Sequence, residues 1–239
     1  MSQPSINARP ATAPLQLLIA GASRGIGRAV AEHRAGLGDT VWSVSRTAAP
    51  VGRWVEADLQ THAGCLRVAE SMGGKHVDGL LYLGGTWETD AFTDGYAFER
   101  CSDEDLRRVL DVNLLAPIRL AQALMPALAR AQRPRIVLMG ALSGLPHRAT
   151  AEVANTASKA GLQGVAQALA IAAKQHRVGC TVINPGNVAT AEVQQELADG
   201  RLLGGGAIAL PDLLRCIDLV LSLSASTTVE RIDLSHIAA

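Results

Sequence analysis

Residues 15–28 read Leu15-Gln16-Leu17-Leu18-Ile19-Ala20-Gly21-Ala22-Ser23-Arg24-Gly25-Ile26-Gly27-Arg28, and this stretch decides the fold. Its first six residues form an apolar run too short for a helix and closed by glycine, as expected of a strand buried on both faces. Three glycines follow within seven residues, and helical spacing then runs over 25–37. A turn of this kind lets the backbone bend sharply and come close to a ligand. The helix start beyond it presents free N–H groups and the positive end of a dipole, which suit a pyrophosphate. An ordinary strand-to-helix turn can share that skeleton, so the surrounding sequence has to decide.

The surroundings repeat the pattern. Strand-like runs recur at 40–45 (TVWSVS), 77–83 (VDGLLYL), 135–140 (RIVLMG), 179–184 (GCTVIN) and 229–234 (VERIDL), with a weaker one at 53–57. Helical spacing occupies 61–73, 103–131, 151–176 and 211–223, and Ser102 with Asp105 gives a capping signal for the third helix. This alternation predicts an α/β fold: a single doubly wound domain of Rossmann type over 14–239, with a parallel sheet of about seven strands flanked by helices. Residues 1–13 read as a flexible leader without an apolar signal core. Right-handed crossovers bring the carboxyl ends of the strands to one edge, where a ligand is expected. Two stretches there, 84–102 and 184–210, lack a period. The second holds Gly204-Gly205-Gly206 and reads equally as a mobile lid or a plain surface loop.

Composition narrows the function. Among 239 residues, Lys+Arg and Asp+Glu number 22 each, so no basic field draws in nucleic acid. The four cysteines lie far apart, without a metal-binding pair, and read as reduced thiols. No apolar run is long enough for a membrane span. A cytoplasmic protein with a small-molecule substrate is expected. Aromatic residues are scarce, with only two tyrosines, Tyr82 and Tyr96.

The spelling GASRGIG, with Gly21, Gly25 and Gly27 spaced G-x-x-x-G-x-G, resembles the short-chain dehydrogenase/reductase family over about residues 15–235. Ala20 stands where that family usually has threonine. The resemblance implies that Gly21, Ser23, Arg24, Gly25, Ile26 and Gly27 cradle a dinucleotide and that Asp58 and Leu59 contact its adenine. It also implies that Pro185, Gly186, Val188 and Thr190 line the nicotinamide side, with Thr190 reaching the carboxamide. Asn113 matches the family's helix asparagine, and Lys159 its ribose-binding lysine. Family members commonly pair through two long helices, here 103–131 and 151–176, which implies a homodimer or homotetramer, or a hetero-oligomer with an active homologue.

The cofactor follows from charge. A free ribose 2′-hydroxyl is usually held by an acid at the end of the second strand, whereas a 2′-phosphate needs cations. That strand ends Ser45-Arg46, and Arg24 lies in the glycine loop, so NADP(H) is favoured over NAD(H).

Three motifs depart from the resemblance. The catalytic tyrosine position, four residues before Lys159, is Asn155. The catalytic serine position is Ala141. The Asn-Asn-Ala-Gly stretch is Tyr82-Leu83-Gly84-Gly85. An asparagine amide can hydrogen-bond a carbonyl but has no useful proton to give, so the usual relay is expected to be rearranged. Ser143 can stand in as an oxyanion donor or be a turn serine. His147 can supply a proton near neutral pH or be an exposed loop histidine. Tyr96 can fold over the pocket or pack, and Tyr82 is expected to fill space beneath the cofactor. Three functions stay open: an oxidoreductase with an altered relay acting on a small carbonyl, enol or imine-like substrate; a silent dinucleotide-binding partner; and a non-redox dehydratase, cyclase or isomerase.

Overall fold

The apolar runs become β1 (Gln16–Ala20), β2 (Thr40–Ser45), β3 (Arg53–Glu56), β4 (Gly79–Tyr82), β5 (Arg135–Met139), β6 (Gly179–Pro185) and β7 (Arg231–Leu234) in a computed structural model that describes residues 13–199 and 206–237. All seven pair in parallel, in the order β3-β2-β1-β4-β5-β6-β7. The order reverses between β1 and β4, and in doubly wound sheets the ligand crevice opens at that switch point. The helices are α1 (Gly25–Gly36), α2 (His62–Ser71), α3 (Asp103–Leu110), α4 (Ala116–Leu128), α5 (Val153–Ala172), α6 (Ala191–Ala198) and α7 (Leu210–Ser222).

Covering both faces explains why the central strands read as unbroken apolar runs. Leu17 and Ile19 of β1 join Val30, Leu81, Val137, Ile183, Leu213 and Ile217 in the layer under α1 and α7. Leu18 and Ala20, pointing the other way, join Val44, Leu80, Leu138, Leu120, Leu124 and Leu162 under α2, α4 and α5. Among the described residues, no helix is long and apolar enough to cross a membrane. The leader up to residue 12, and Gly204 and Gly205 of the glycine run, lie outside the described residues.

Two expectations are corrected. The single helix expected over 103–131 is α3, a π-helical turn over Asp111–Leu115, and α4. The periodicity of the apolar residues carries straight through the widened turn, so spacing alone does not reveal it. The stretch 184–210 is not irregular throughout, since β6 extends to Pro185 and α6 follows. No residue of α6 is buried, so it lacks the apolar stripe by which the other helices are recognised.

Candidate active site

The glycine turn is built for close approach. Gly21 has φ +87°, and a Cβ there would lie 2.4 Å from the Gly84 Cα; a Cβ on Gly27 would lie 2.1 Å from the Gly21 carbonyl oxygen. The loops after β1 and β4 thus touch at the switch point, backbone on backbone, where any side chain would push them apart. Gly25, at φ +56°, has nothing within 4 Å of where a Cβ would stand and faces open space. Ser23 and Ile26 are half-buried and Arg24 is exposed. Arg24 is the N-cap of α1 but makes no capping bond with its side chain. The Gly25 N–H instead donates to Glu192 Oε1 at 3.1 Å. A carboxylate already drawn to the helix start, beside a turn that admits no Cβ, shows that the cradle fits the pyrophosphate of a dinucleotide.

A hollow of about 220 Å³ opens at the carboxyl ends of β2 and β3, lined by Arg46, Glu56, Asp58, Thr61, Gly64 and Arg67. Asp58 Oδ1 accepts the Gln60 N–H at 3.0 Å, and Thr61 caps α2 by accepting the Gly64 N–H at 3.0 Å. Gly64 packs so closely on the Asp58 carbonyl that a Cβ would lie 2.0 Å from its oxygen. Leu59 turns partly inward against the core. Arg67, from α2, adds a second cation on this rim, one that sequence reasoning missed.

On the opposite side, Thr190 is the N-cap of α6 and accepts the Val193 N–H at 3.4 Å. Val188 bridges to Ile208, and the Gly186 N–H donates to the Leu234 carbonyl at 3.0 Å. Pro185 is buried at the end of β6.

The reacting end gathers four polar residues. Lys159 extends from α5 to donate to the Met139 carbonyl at 3.0 Å. A Cβ on Gly85 would lie 3.6 Å from both Lys159 Nζ and Asn113 Oδ1, so the ammonium and the amide flank the same glycine. Asn113 lies in the π turn. Its Oδ1 accepts the Thr86 N–H at 2.9 Å, and its Nδ2 donates to the Thr86 carbonyl at 2.7 Å and the Ser158 hydroxyl at 3.1 Å. Asn155 Oδ1 stands 3.5 Å from the same Nδ2, while Ser158 donates to the Asn155 carbonyl at 2.7 Å. The turn's extra residue thus places an amide that clamps the backbone after β4. Burial lowers the Lys159 ammonium from its ordinary range to about 8, because a charge out of water is penalised.

The remaining candidates divide. Ser143 is buried in a 3₁₀ turn, next to Gly144, which packs on the Lys159 backbone. His147 is exposed at φ +62°, and the bonds joining Asn113, Asn155 and Ser158 do not include it. Tyr82 is a core residue on the α4 side, 1% exposed, whose hydroxyl donates to the Val112 carbonyl of the π turn at 2.6 Å; burial pushes its pKa far up. Tyr96 is half-buried, and its hydroxyl accepts the Val153 N–H at 3.4 Å at the start of α5.

Sequence reasoning also missed Glu88. It is 1% exposed, and its Oε1 accepts the N–H groups of Ala154 and Asn155 at 2.7 and 3.2 Å, so it caps α5 from 66 residues away. Glu152, also buried, accepts the Phe92 N–H at 2.9 Å. The two carboxylates tie the loop 84–102 to the helix that carries Lys159. No local motif could reveal this, because N-cap rules look for a neighbour in sequence.

Comparison with known proteins agrees with this architecture. A family profile described as short chain dehydrogenase matches residues 16–201. The short chain dehydrogenase adrF of Penicillium roqueforti is 31% identical over 192 residues, covering 74% of this chain and 71% of that protein. A solved short-chain dehydrogenase from Streptomyces avermitilis superposes with a TM-score of 0.77 at 22% identity, over 94% of this chain and 89% of that one. A short chain dehydrogenase from Escherichia coli, solved in complex with NADPH, gives 0.75 at 25% identity, over 92% and 95%. With the match running through the glycine turn, the Asn113 clamp and the Lys159 helix, the chain belongs to the short-chain dehydrogenase family.

Proposed function

We propose that this protein is an NADP(H)-dependent oxidoreductase acting on a small carbonyl, enol or imine-like substrate, with Lys159 itself as the proton-donating residue. The observation that carries this reading is the position of the Lys159 ammonium beside Gly85 and Asn113, with a pKa near 8. A general acid works best when its pKa lies close to the working pH. Asn155 and Ala141, at the tyrosine and serine positions, have no such proton.

When bound, the dinucleotide supplies a hydride to the substrate carbon. Lys159 Nζ gives its proton to the substrate oxygen or nitrogen, becomes a neutral amine, and regains a proton from solvent. The Asn155 amide, its Oδ1 turned toward Asn113, is a hydrogen-bonding group without a proton to give. Asn113 holds Thr86, and with it the wall of the site, in place. Arg24 and Arg46 are the cations for a 2′-phosphate, and Arg67 reinforces them on the rim of the adenosine hollow. The NADPH bound by the Escherichia coli relative supports this cofactor. We also place the protein in the cytoplasm, as a homodimer or homotetramer; exposed Leu115 and Ile118 at the start of α4 support such pairing.

The test is oxidation of NADPH by the purified protein across ketones, aldehydes, enones and cyclic imines, for the wild type, Lys159→Ala and Lys159→Arg. Turnover lost in both variants supports the reading. Turnover unchanged in both removes Lys159 from the chemistry. Tight NADPH binding with no turnover of any substrate identifies the protein as a silent binder instead.

A further inference from the structure

Glu192 belongs to α6, yet its carboxylate lies 167 residues away in sequence, at the first N–H of α1. We propose that Glu192 is an internal competitor for the pyrophosphate position, and that its displacement sets how tightly the protein holds its dinucleotide. This rests on the reading of the glycine turn as a dinucleotide cradle.

The argument is one of exclusion. The Gly25 N–H is the first N–H of α1, with no partner inside the helix, and the Glu192 oxygen takes it at 3.1 Å. Arg24, adjacent to it, also interacts with Glu192 through its charge, and so does Arg28 one turn along α1. A diphosphate would need the same donor. Two anions cannot share one N–H, and they repel across the few ångströms that separate them. The carboxylate is kept below its ordinary range by its own backbone amide, against the opposing pull of desolvation, and by the Thr190 hydroxyl, the Gly25 N–H and Arg24. It is therefore an anion throughout the neutral range.

The element that carries it is suited to leaving. No residue of α6 is buried, so moving the helix outward exposes little core. Its upstream attachment, the Val188–Ile208 bridge, can stay in place while α6 swings outward with its Thr190 cap intact. A protein whose competent state is a minor fraction shows an affinity lowered by that fraction. The engaged Glu192 is that tax on NADPH, and a ligand confined to the adenosine half escapes it.

The experiment is titration of the full chain, calorimetrically, with NADPH, or NADH where NADPH does not bind, and separately with adenosine, which carries no phosphate for Arg24, for the wild type, Glu192→Gln and Glu192→Ala. The neutral Gln variant keeps the shape of the side chain and guards against a folding artefact. The expected result is NADPH binding about tenfold tighter in Glu192→Ala, which corresponds to an engaged fraction of ~90% in the wild type. Glu192→Gln falls between the two, and adenosine binds all three alike. NADPH affinity that is equal or weaker in both variants overturns the proposal and leaves the dinucleotide reading standing. Equal tightening for both ligands also overturns it, since the effect would then not lie at the pyrophosphate. If no variant binds NADPH or NADH, the dinucleotide reading falls and this proposal falls with it.

Discussion

Replacing Lys159 by arginine separates the two things a lysine can do at this site. Arginine keeps a positive charge for a ribose or phosphate but does not give up a proton between pH 7 and 9. In the wild type, a pKa near 8 leaves about 90% of the side chain protonated at pH 7 and about 10% at pH 9. If Lys159 is the donor, kcat for carbonyl reduction falls about tenfold across that window, with KM for NADPH little changed. Lys159→Arg lowers kcat by roughly 10² to 10⁴, the contribution of a positioned general acid, and its remaining rate is flat with pH. The chain has only three lysines, Lys75, Lys159 and Lys174, so ¹³C reductive methylation gives three side-chain NMR signals whose titrations can be followed one by one. The signal lost in Lys159→Arg titrates near 8. The same shift appears in stability: the folded pKa lies below the unfolded one, so the unfolded chain binds more protons between about 8 and 10.4, and stability rises with pH through that window. Urea unfolding at pH 7.5 and 10 reads this as a gain absent from Lys159→Met, at most ~3 kcal/mol because the side chain is not wholly shielded. A Lys159 signal titrating above 10, or a Lys159→Arg enzyme with more than half the wild-type kcat, refutes the reasoning.

Other perturbations read other parts of the site. NADPH raises the melting temperature more than NADH at equal concentration, and Arg46→Ala, which loses a charge-assisted bond of about 1.5–3 kcal/mol, brings the two shifts together; equal shifts in the wild type remove the argument for a 2′-phosphate. Glu88→Ala leaves two α5 N–H groups without their acceptor and costs about 1–3 kcal/mol, read as a fall of roughly 2–10 °C in Tm. A fall below 1 °C shows that α5 does not depend on that cap. Asn155→Tyr restores a phenol four residues before Lys159 and raises kcat in the assay that detects carbonyl reduction; an unchanged kcat in a folded variant, checked by circular dichroism, shows that position 155 does not handle the proton.

The parts of this molecule legible in the sequence are those governed by short-range pattern. Buried parallel strands announce themselves as apolar runs, and the observed strand ends fall within two residues of those expected, as at β4 and β7. Gly21 and Gly27 are forced by contacts within the turn and against Gly84, so their spacing carries the meaning. Ser102 caps α3 through Asp105 N–H at 3.1 Å, as its local signal indicates. What escaped are contacts between residues distant in sequence: Glu88 on α5, Glu192 on α1, and Ser158 under Asn113. Each uses a common polar residue whose role depends on where the fold brings it. The π turn at Asn113 escaped for a different reason, because one extra residue in a helical turn barely disturbs a period read over thirty residues.

Without a phenol at position 155, the lysine faces a different demand. A lysine that serves only to hold a neighbouring group and lower its pKa works best when firmly charged, which a nearby carboxylate would ensure. A lysine that surrenders its own proton works best when its ammonium is destabilised until its pKa meets the pH. Lys159 has the second kind of surroundings: it donates to a neutral carbonyl, Met139, and desolvation is the cause of its lowered pKa. The two buried acids that accompany α5 point elsewhere. Glu88 spends Oε1 on the N–H groups of Ala154 and Asn155, and Glu152 spends Oε1 on the Phe92 N–H. Because those acids hold backbone, they secure the loop and the helix start without recharging the lysine. A carboxylate turned toward Nζ would raise its pKa again and return it to the holding role, for which the site has no remaining partner.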